Sequence, residues 1–308
     1  MREAVIVGGG TMGCAVAATF RAAGWPVQVI ETESSTRPLV QEKVDAASRL
    51  LKAEGDLAPV VVHDALKRIQ WNNVGIVVEC VYEDLALKRQ VFAALEQLSP
   101  ASVPLTSNSS SFPISDIGAG LQTLNRMLGL HFFMPAHLVP AVEVVCSQQS
   151  DEAVADQVID IMWAVGKRPI RVKKDVPGFL ANRIQHALMR EAIALVEEGF
   201  ASAEDVDAAV QYGFGLRYVA AGPLLQKDLA GIDVHCAAAT KMYPYLHNNT
   251  EPSAYMRKLV ADGHVGVKSP SMKGFYQWTP ERIRAEKARY EKALLMAADI
   301  LKGESSHG

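Results

Sequence analysis

Apolar residues fall into short runs separated by glycines and by segments with helical periodicity. Ala4-Val5-Ile6-Val7 is a strand-length run that stops at Gly8, and Met12, Val16, Thr19, Phe20 and Ala23 then recur at helical spacing up to Gly24. The spacing predicts strand, glycine turn and helix. Val27–Ile30 reads as a second strand closed by Glu31, Val74–Val81 as a later buried strand, and Leu85–Leu98 as the helix that follows it. Further strands are expected at Val103–Ser107, Met127–Phe133 and Ala141–Val145. A helix Asp151–Val165, with Ser150 as its cap and Gly166 as its stop, leads to a last strand near Ile170–Lys173. Strands alternating with helices imply a doubly wound, mostly parallel sheet.

Beyond Asp175-Val-Pro-Gly178 the apolar period becomes helical and stays so. Phe179–Glu198 reads as a long amphipathic helix ended by Gly199, Ser202 as the cap of another, and Thr279-Pro280 as the start of a terminal helix. The 308 residues, at about 150 per domain, suit two domains, an α/β domain over 1–174 and an all-α domain over 175–308. The second carries no nucleotide motif, so it is expected to supply a wall of the substrate cleft and the contact of a homodimer.

Composition narrows the partners. The chain is 49% hydrophobic, which excludes disorder as its dominant state, and 31 lysines and arginines against 34 acidic residues leave a net charge of −3. That balance gives no basic footprint for nucleic acid or anionic lipid, and points to a small-molecule substrate. Cys14, Cys80, Cys146 and Cys236 lie far apart with no CxxC pair, as expected of a reducing, cytoplasmic setting. Met1-Arg2-Glu3 precedes only a short apolar run, so no export signal is read there. The uncharged stretch Met127–Val142 contains His131, His137, Pro135 and Pro140 and is unsuited to a membrane span. His63, His137, His186, His235, His247, His264 and His307 show no metal-ligand spacing, and no metal site is expected.

Gly8-Gly9-Gly10-Thr11-Met12-Gly13 fits GxGxxG between a predicted strand and helix, the Rossmann-type arrangement in which bare backbone approaches a pyrophosphate at a helix N-terminus. Glu31, closing the next strand, is placed to accept hydrogen bonds from the adenosine ribose and to repel the extra phosphate of NADP; otherwise it is a solvated strand-end charge. Thr32 and Glu33 bring no arginine, so NAD is the expected cofactor.

Residues 130–143 form the most informative segment of the chain. If the two strands fold back about His137, opposed residue numbers sum to 274 and His131 faces Glu143. A carboxylate that holds one imidazole nitrogen leaves the other free to act as general base; the alternative is a structural cross-strand pair. Thr106–Ser111 follows a strand expected at the carboxyl edge of the sheet, either as a ligand loop or as a solvated turn.

Together these residues resemble the 3-hydroxyacyl-CoA dehydrogenase family. The resemblance rests on the glycine turn, Ser107-Asn-Ser-Ser-Ser111, His131-Phe-Phe-Met-Pro135 with Val142-Glu-Val144, and Pro177-Gly-Phe-Leu-Ala-Asn-Arg183, four motifs in order along nearly the whole chain. It implies that His131 is the catalytic base and Glu143 its orienting partner, that Ser110 and Asn182 hydrogen-bond the reacting oxygen, and that Glu83, Lys88 and Asn108 contact the cofactor.

Three features depart from the family pattern. Met134 stands where asparagine is usual. The stretch from Glu31 to Trp71, with Lys43, Arg49, Lys52, Lys67 and Arg68, looks shorter than the family's coenzyme A-contacting hairpin. Gly213–Pro223 is longer than the acyl-CoA enzymes' turn and resembles gulonate, carnitine and pyridoxine-pathway dehydrogenases, which makes Arg217 a candidate contact for a free substrate carboxylate. The resemblance implies an NAD-dependent dehydrogenase that oxidises a 3-hydroxyacyl thioester or a small 3-hydroxy acid; the alternatives are a dehydrogenase of a small free carboxylic acid and a crystallin-like NAD-binding protein without turnover.

Overall fold

The computed structural model describes residues 2–51 and 57–302; Met1, Lys52 and His307, named above, lie outside the described residues. Strand β1 (Glu3–Val7) leads through the glycines into α1 (Thr11–Ala22), followed by β2 (Val27–Ile30), α2 (Leu39–Leu50) and β3 (Val60–His63). Next come β4 (Val74–Glu79), α3 (Leu85–Leu98), β5 (Leu105–Ser107), the single turn α4 (Ile114–Ile117), β6 (Met127–Phe132), β7 (Ala141–Val145), α5 (Glu152–Ala164) and β8 (Arg168–Val172). The eight strands form one sheet in the order β3-β2-β1-β4-β5-β6-β7-β8. Every neighbouring pair is parallel except β6–β7. This is the expected doubly wound Rossmann architecture.

Alternation along the strands builds a core on each face of the sheet. Ala4 and Ile6 join Val16, Phe20, Val40, Leu130 and Val158 on one face, whereas Val5 and Val7 join Phe92, Leu95, Leu105 and Met127 on the other. The chain divides into compact units Met1–Asn182 and Arg183–Gly308, so the division falls inside the first turn of α6 (Ala181–Glu197). The second unit continues with α7 (Ala203–Ala208), a π-helical turn Ala209–Phe214, a 3-10 turn Gly215–Val219, and helices α8 (Pro223–Ala230), α9 (Ile232–Met242), α10 (Ala254–Ala261) and α11 (Pro280–Lys302).

Local chemistry explains where boundaries differ from expectation. Asp151, not Ser150, caps α5, its carboxylate accepting from the Ala153 N–H at 2.9 Å, while the Ser150 hydroxyl donates to the Met127 carbonyl at 2.8 Å. The long helix begins at Ala181 rather than Phe179, because Gly178 and Phe179 both take positive φ, 79° and 46°. Ser202 caps α7 as expected, and the Thr279 hydroxyl accepts from the Arg282 N–H at 3.2 Å at the start of α11. Helix α2 and edge strand β3 are additions to the sequence reading. Among the described residues, no helix is long and apolar enough to cross a membrane.

Candidate active site

The sheet order reverses between β1 and β4, and the glycine turn sits at that switch point. Gly8, at φ +110°, packs on β4's continuation so closely that a Cβ there would lie 2.7 Å from the Cys80 carbonyl oxygen. A Cβ on Gly13 would lie 1.8 Å from the Gly8 carbonyl oxygen, so strand and helix approach only because both residues are glycine. Gly10 faces open space, and α1 starts there without a capping side chain, which leaves the helix's first N–H groups, beginning at Thr11, Met12 and Gly13, for a ligand. Such a cradle fits the pyrophosphate of a dinucleotide. The half-buried Glu31 carboxylate closes it, accepting from the Gly9 N–H at 3.0 Å and the Glu33 N–H at 2.9 Å.

Sequence reading missed Arg37. Its guanidinium donates to the carbonyls of Glu31 (2.8 Å) and Thr32 (2.9 Å), so the arginine is committed to the backbone around Glu31.

One fully buried carboxylate organises the next two loops. Glu79, ending β4, accepts from the Val81 N–H at 2.7 Å, from the Ser107 hydroxyl at 2.6 Å, and from the Lys88 ammonium at 2.9 and 3.1 Å. Lys88, itself 1% exposed, also lies 3.2 Å from Glu83. The Lys88 ammonium is therefore taken up inside the protein. Glu83 receives the Ser109 hydroxyl at 2.6 Å and the Ser111 N–H at 3.1 Å. Burial disfavours its charge, but the bonds from Ser109, Lys88 and Ser111 outweigh burial and hold its carboxyl below the ordinary value. Asn108 accepts from the Phe132 N–H at 2.8 Å and so ties this loop to β6. Ser110 is half-buried, and its hydroxyl makes no hydrogen bond among the described residues. Glu79 had a sequence signal, a lone acid at the end of an apolar strand with a lysine on the next helix, but no motif to weigh it.

In the β6–β7 ladder, His131 pairs with Glu143, Leu130 with Val144 and Gly129 with Val145, each summing to 274 as expected. The imidazole Nδ1 lies 2.8 Å from Glu143 Oε2. Glu143 Oε1 accepts the N–H groups of Leu180 (3.0 Å) and Ala181 (2.9 Å) at the start of α6. Burial pushes the Glu143 carboxyl up, but the His131 hydrogen bond and the two N–H groups together bring it below its ordinary value, so it is a carboxylate at neutral pH. The rings of Phe133 and Phe179 flank the imidazole at centroid distances of 4.7 and 5.6 Å. Asn182 stands one residue beyond the N–H pair that holds Glu143, half-buried and without a side-chain hydrogen bond among the described residues. Met134 is 64% exposed. Arg217 lies in the second unit's 3-10 turn, exposed, its carbonyl accepting from Ala220 and Ala221 and its guanidinium unpaired among the described residues. No group of three or more His, Cys, Asp or Glu that could hold a metal occurs among the described residues.

A glycine cradle for a dinucleotide and an imidazole oriented by a buried carboxylate suit removal of a hydride and a proton from one CH–OH group, and the protein is an NAD-dependent dehydrogenase of that kind. More narrowly, the chain belongs to the 3-hydroxyacyl-CoA dehydrogenase family. Residues 3–176 match its NAD binding domain and residues 178–278 its C-terminal domain. It is similar to 3-hydroxybutyryl-CoA dehydrogenase of Mycobacterium tuberculosis, 34% identical over 89% of this chain and 97% of that one. It is also similar to 5-formyl-3-hydroxy-2-methylpyridine 4-carboxylate 5-dehydrogenase of Mesorhizobium japonicum, 28% identical over 98% of this chain and 99% of the relative. The crystal structure of a 5-formyl-3-hydroxy-2-methylpyridine 4-carboxylic acid 5-dehydrogenase, described as an NAD+-dependent dismutase, superposes with a TM-score of 0.91 at 28% identity, covering 98% and 99% of the two chains.

Proposed function

We propose that this protein oxidises a hydroxyl group on a small free carboxylic acid, with His131 as general base. The observation that carries the substrate class is the likeness over 98% of the chain to a dehydrogenase of a pyridine carboxylate, at a TM-score of 0.91. The lengthened Gly213–Pro223 turn supports the same class.

The Glu143 carboxylate favours the tautomer with its proton on Nδ1, so Nε2 carries the lone pair. His131 Nε2 takes the substrate's hydroxyl proton, and the imidazolium that forms is stabilised by the carboxylate 2.8 Å from its other nitrogen. Ser110 and Asn182, whose polar groups are uncommitted among the described residues, hydrogen-bond the oxygen that loses this proton. NAD, when bound, supplies the hydride acceptor. Gly8, Gly9, Gly10, Thr11, Met12 and Gly13 would hold its pyrophosphate and Glu31 its adenosine ribose, with Glu83, Lys88 and Asn108 as the loop framework beside it. Arg217 is assigned to the substrate carboxylate.

A second reading, oxidation of a 3-hydroxyacyl-CoA, is favoured by the 34% identity to a 3-hydroxybutyryl-CoA dehydrogenase. Steady-state NAD reduction with 3-hydroxybutyryl-CoA beside a panel of free hydroxy acids, aromatic ones included, separates the two. The free-acid reading expects turnover of an acid, and a KM raised about tenfold or more by Arg217→Met. Turnover of CoA esters alone, with Arg217→Met indifferent, contradicts it.

We also propose that the protein acts as a homodimer. Its support is the exposure of large apolar side chains in the second unit, among them Leu224 (82%), Leu229 (78%), Ile232 (64%) and Tyr245 (83%). Sedimentation equilibrium tests it: a monomer at micromolar concentration removes the dimer.

A further inference from the structure

Lys167 is a buried cation with no carboxylate partner among the described residues. It follows Gly166, which ends α5 at φ +75°, and it is 4% exposed. Its ammonium donates to the carbonyls of Ala136 at 2.6 Å, Val139 at 2.9 Å and His137 at 3.3 Å. All three belong to the connection between β6 and β7. In that connection the Leu138 and Val139 N–H groups both bond the Pro135 carbonyl at 3.0 Å, a single turn whose later carbonyls have no following helix to satisfy them. An ammonium has three donors and no acceptor, one N–H for each carbonyl. Burial lowers the lysine's pKa to about 8, so the site opposes the charge that the carbonyls attract. A buried cation is costly, and an apolar residue at 167 would avoid that cost but leave buried carbonyls unpaired.

The connection begins at Phe133 and Met134, directly after β6. Phe133 packs its ring against His131 at 4.7 Å, so the course of the connection sets what stands beside the imidazole. The β6–β7 ladder fixes His131 opposite Glu143, but it ends at the pair Phe132–Val142 and does not reach Phe133.

We propose that Lys167 is a positioning residue for the active site: its ammonium closes the 135–140 connection and thereby holds Phe133 beside His131. It touches neither substrate nor cofactor in this role. The turnover part rests on His131 being the base; the part concerning the connection does not.

Lys167→Met keeps the stem length and removes all three donors. Three readouts on the full chain test the proposal. Amide hydrogen exchange at Leu138 and Val139 should accelerate about tenfold or more, since their turn loses its closure. The His131 ring-proton NMR signal, identified by its loss in His131→Asn, should shift as the Phe133 ring moves. In turnover of the best wild-type substrate, kcat should fall about tenfold while KM for NAD stays within about twofold, because the cofactor cradle is elsewhere. Wild-type exchange with an unmoved His131 signal overturns the proposal, whether or not a substrate is known. Faster exchange with wild-type kcat and an unmoved signal also overturns it, leaving Lys167 a structural residue only. Should Lys167→Met not fold, Lys167→Gln, with the two N–H donors of an amide, is measured the same way. Smaller changes in the same direction are expected there, and wild-type behaviour again refutes the role.

Discussion

Glu79 and Glu143 are two carboxylates with no exposed surface, both near the carboxyl edge of one sheet, and they are satisfied in different ways. Glu79 meets the Lys88 ammonium, a serine hydroxyl and a backbone N–H. Glu143 meets two backbone N–H groups and one nitrogen of an imidazole. A lysine so enclosed has its hydrogens committed and offers a substrate nothing, whereas a histidine held by one nitrogen still presents the other. On the proposed mechanism the same buried charge therefore organises loops in one place and chemistry in the other. The partner decides which.

If that contrast is right, the two carboxylates should fail differently when neutralised. Glu79→Gln leaves the buried Lys88 ammonium with Glu83 as its remaining carboxylate partner and should lower stability by about 3 kcal/mol, the lower end for breaking a buried pair, read from the denaturation midpoint. A loss below about 1 kcal/mol would make Glu79 no more than a helper to its neighbours. Next in size is His131→Asn, which should lower kcat roughly 100-fold or more, about 2.7 kcal/mol of barrier, with NAD affinity nearly unchanged. Near wild-type turnover would refute the assigned base. Glu143→Gln should lower kcat about tenfold or more yet lose only about 1 kcal/mol of stability, because a neutral imidazole can change tautomer to suit an amide.

Acid should act on Glu143 in a stated window. Its folded pKa lies below the ordinary 4.5, so its stabilising contribution is complete above that pH and is lost as pH falls through the folded value. Glu143→Gln should flatten this part of the stability profile. Smallest among these effects, Glu31→Ala should reduce the preference for NAD over NADP about tenfold, measured as dissociation constants. Unchanged discrimination would move the ribose contact away from Glu31.

Much of this contrast could be read before the fold was seen, but only its catalytic half. His131 and Glu143 lie in one short antiparallel hairpin, where local register follows from spacing, and the observed pairs sum to 274. Glu79, Lys88 and Ser107 come from β4, α3 and β5, and only the parallel sheet brings them together. Helix α2 escaped the apolar pattern because its buried side is just Val40, Val44, Ala47 and Ser48, and β3 because an edge strand keeps its residues partly exposed. Strand β8 starts two residues earlier than expected for the same reason, Arg168 being an exposed start. Phe179 looked helical by its spacing, but its positive φ is a backbone property that periodicity does not carry. Lys167 gave no signal at all, since its partners are carbonyls.

If Glu143 acts on the reaction only through His131, a double-mutant cycle on kcat will show it. His131→Asn with Glu143→Gln should turn over no more slowly than His131→Asn alone, within about twofold, because nothing remains for the carboxylate to orient. Effects that multiply, the double variant falling a further tenfold or so below the single one, would show that Glu143 contributes independently of the imidazole.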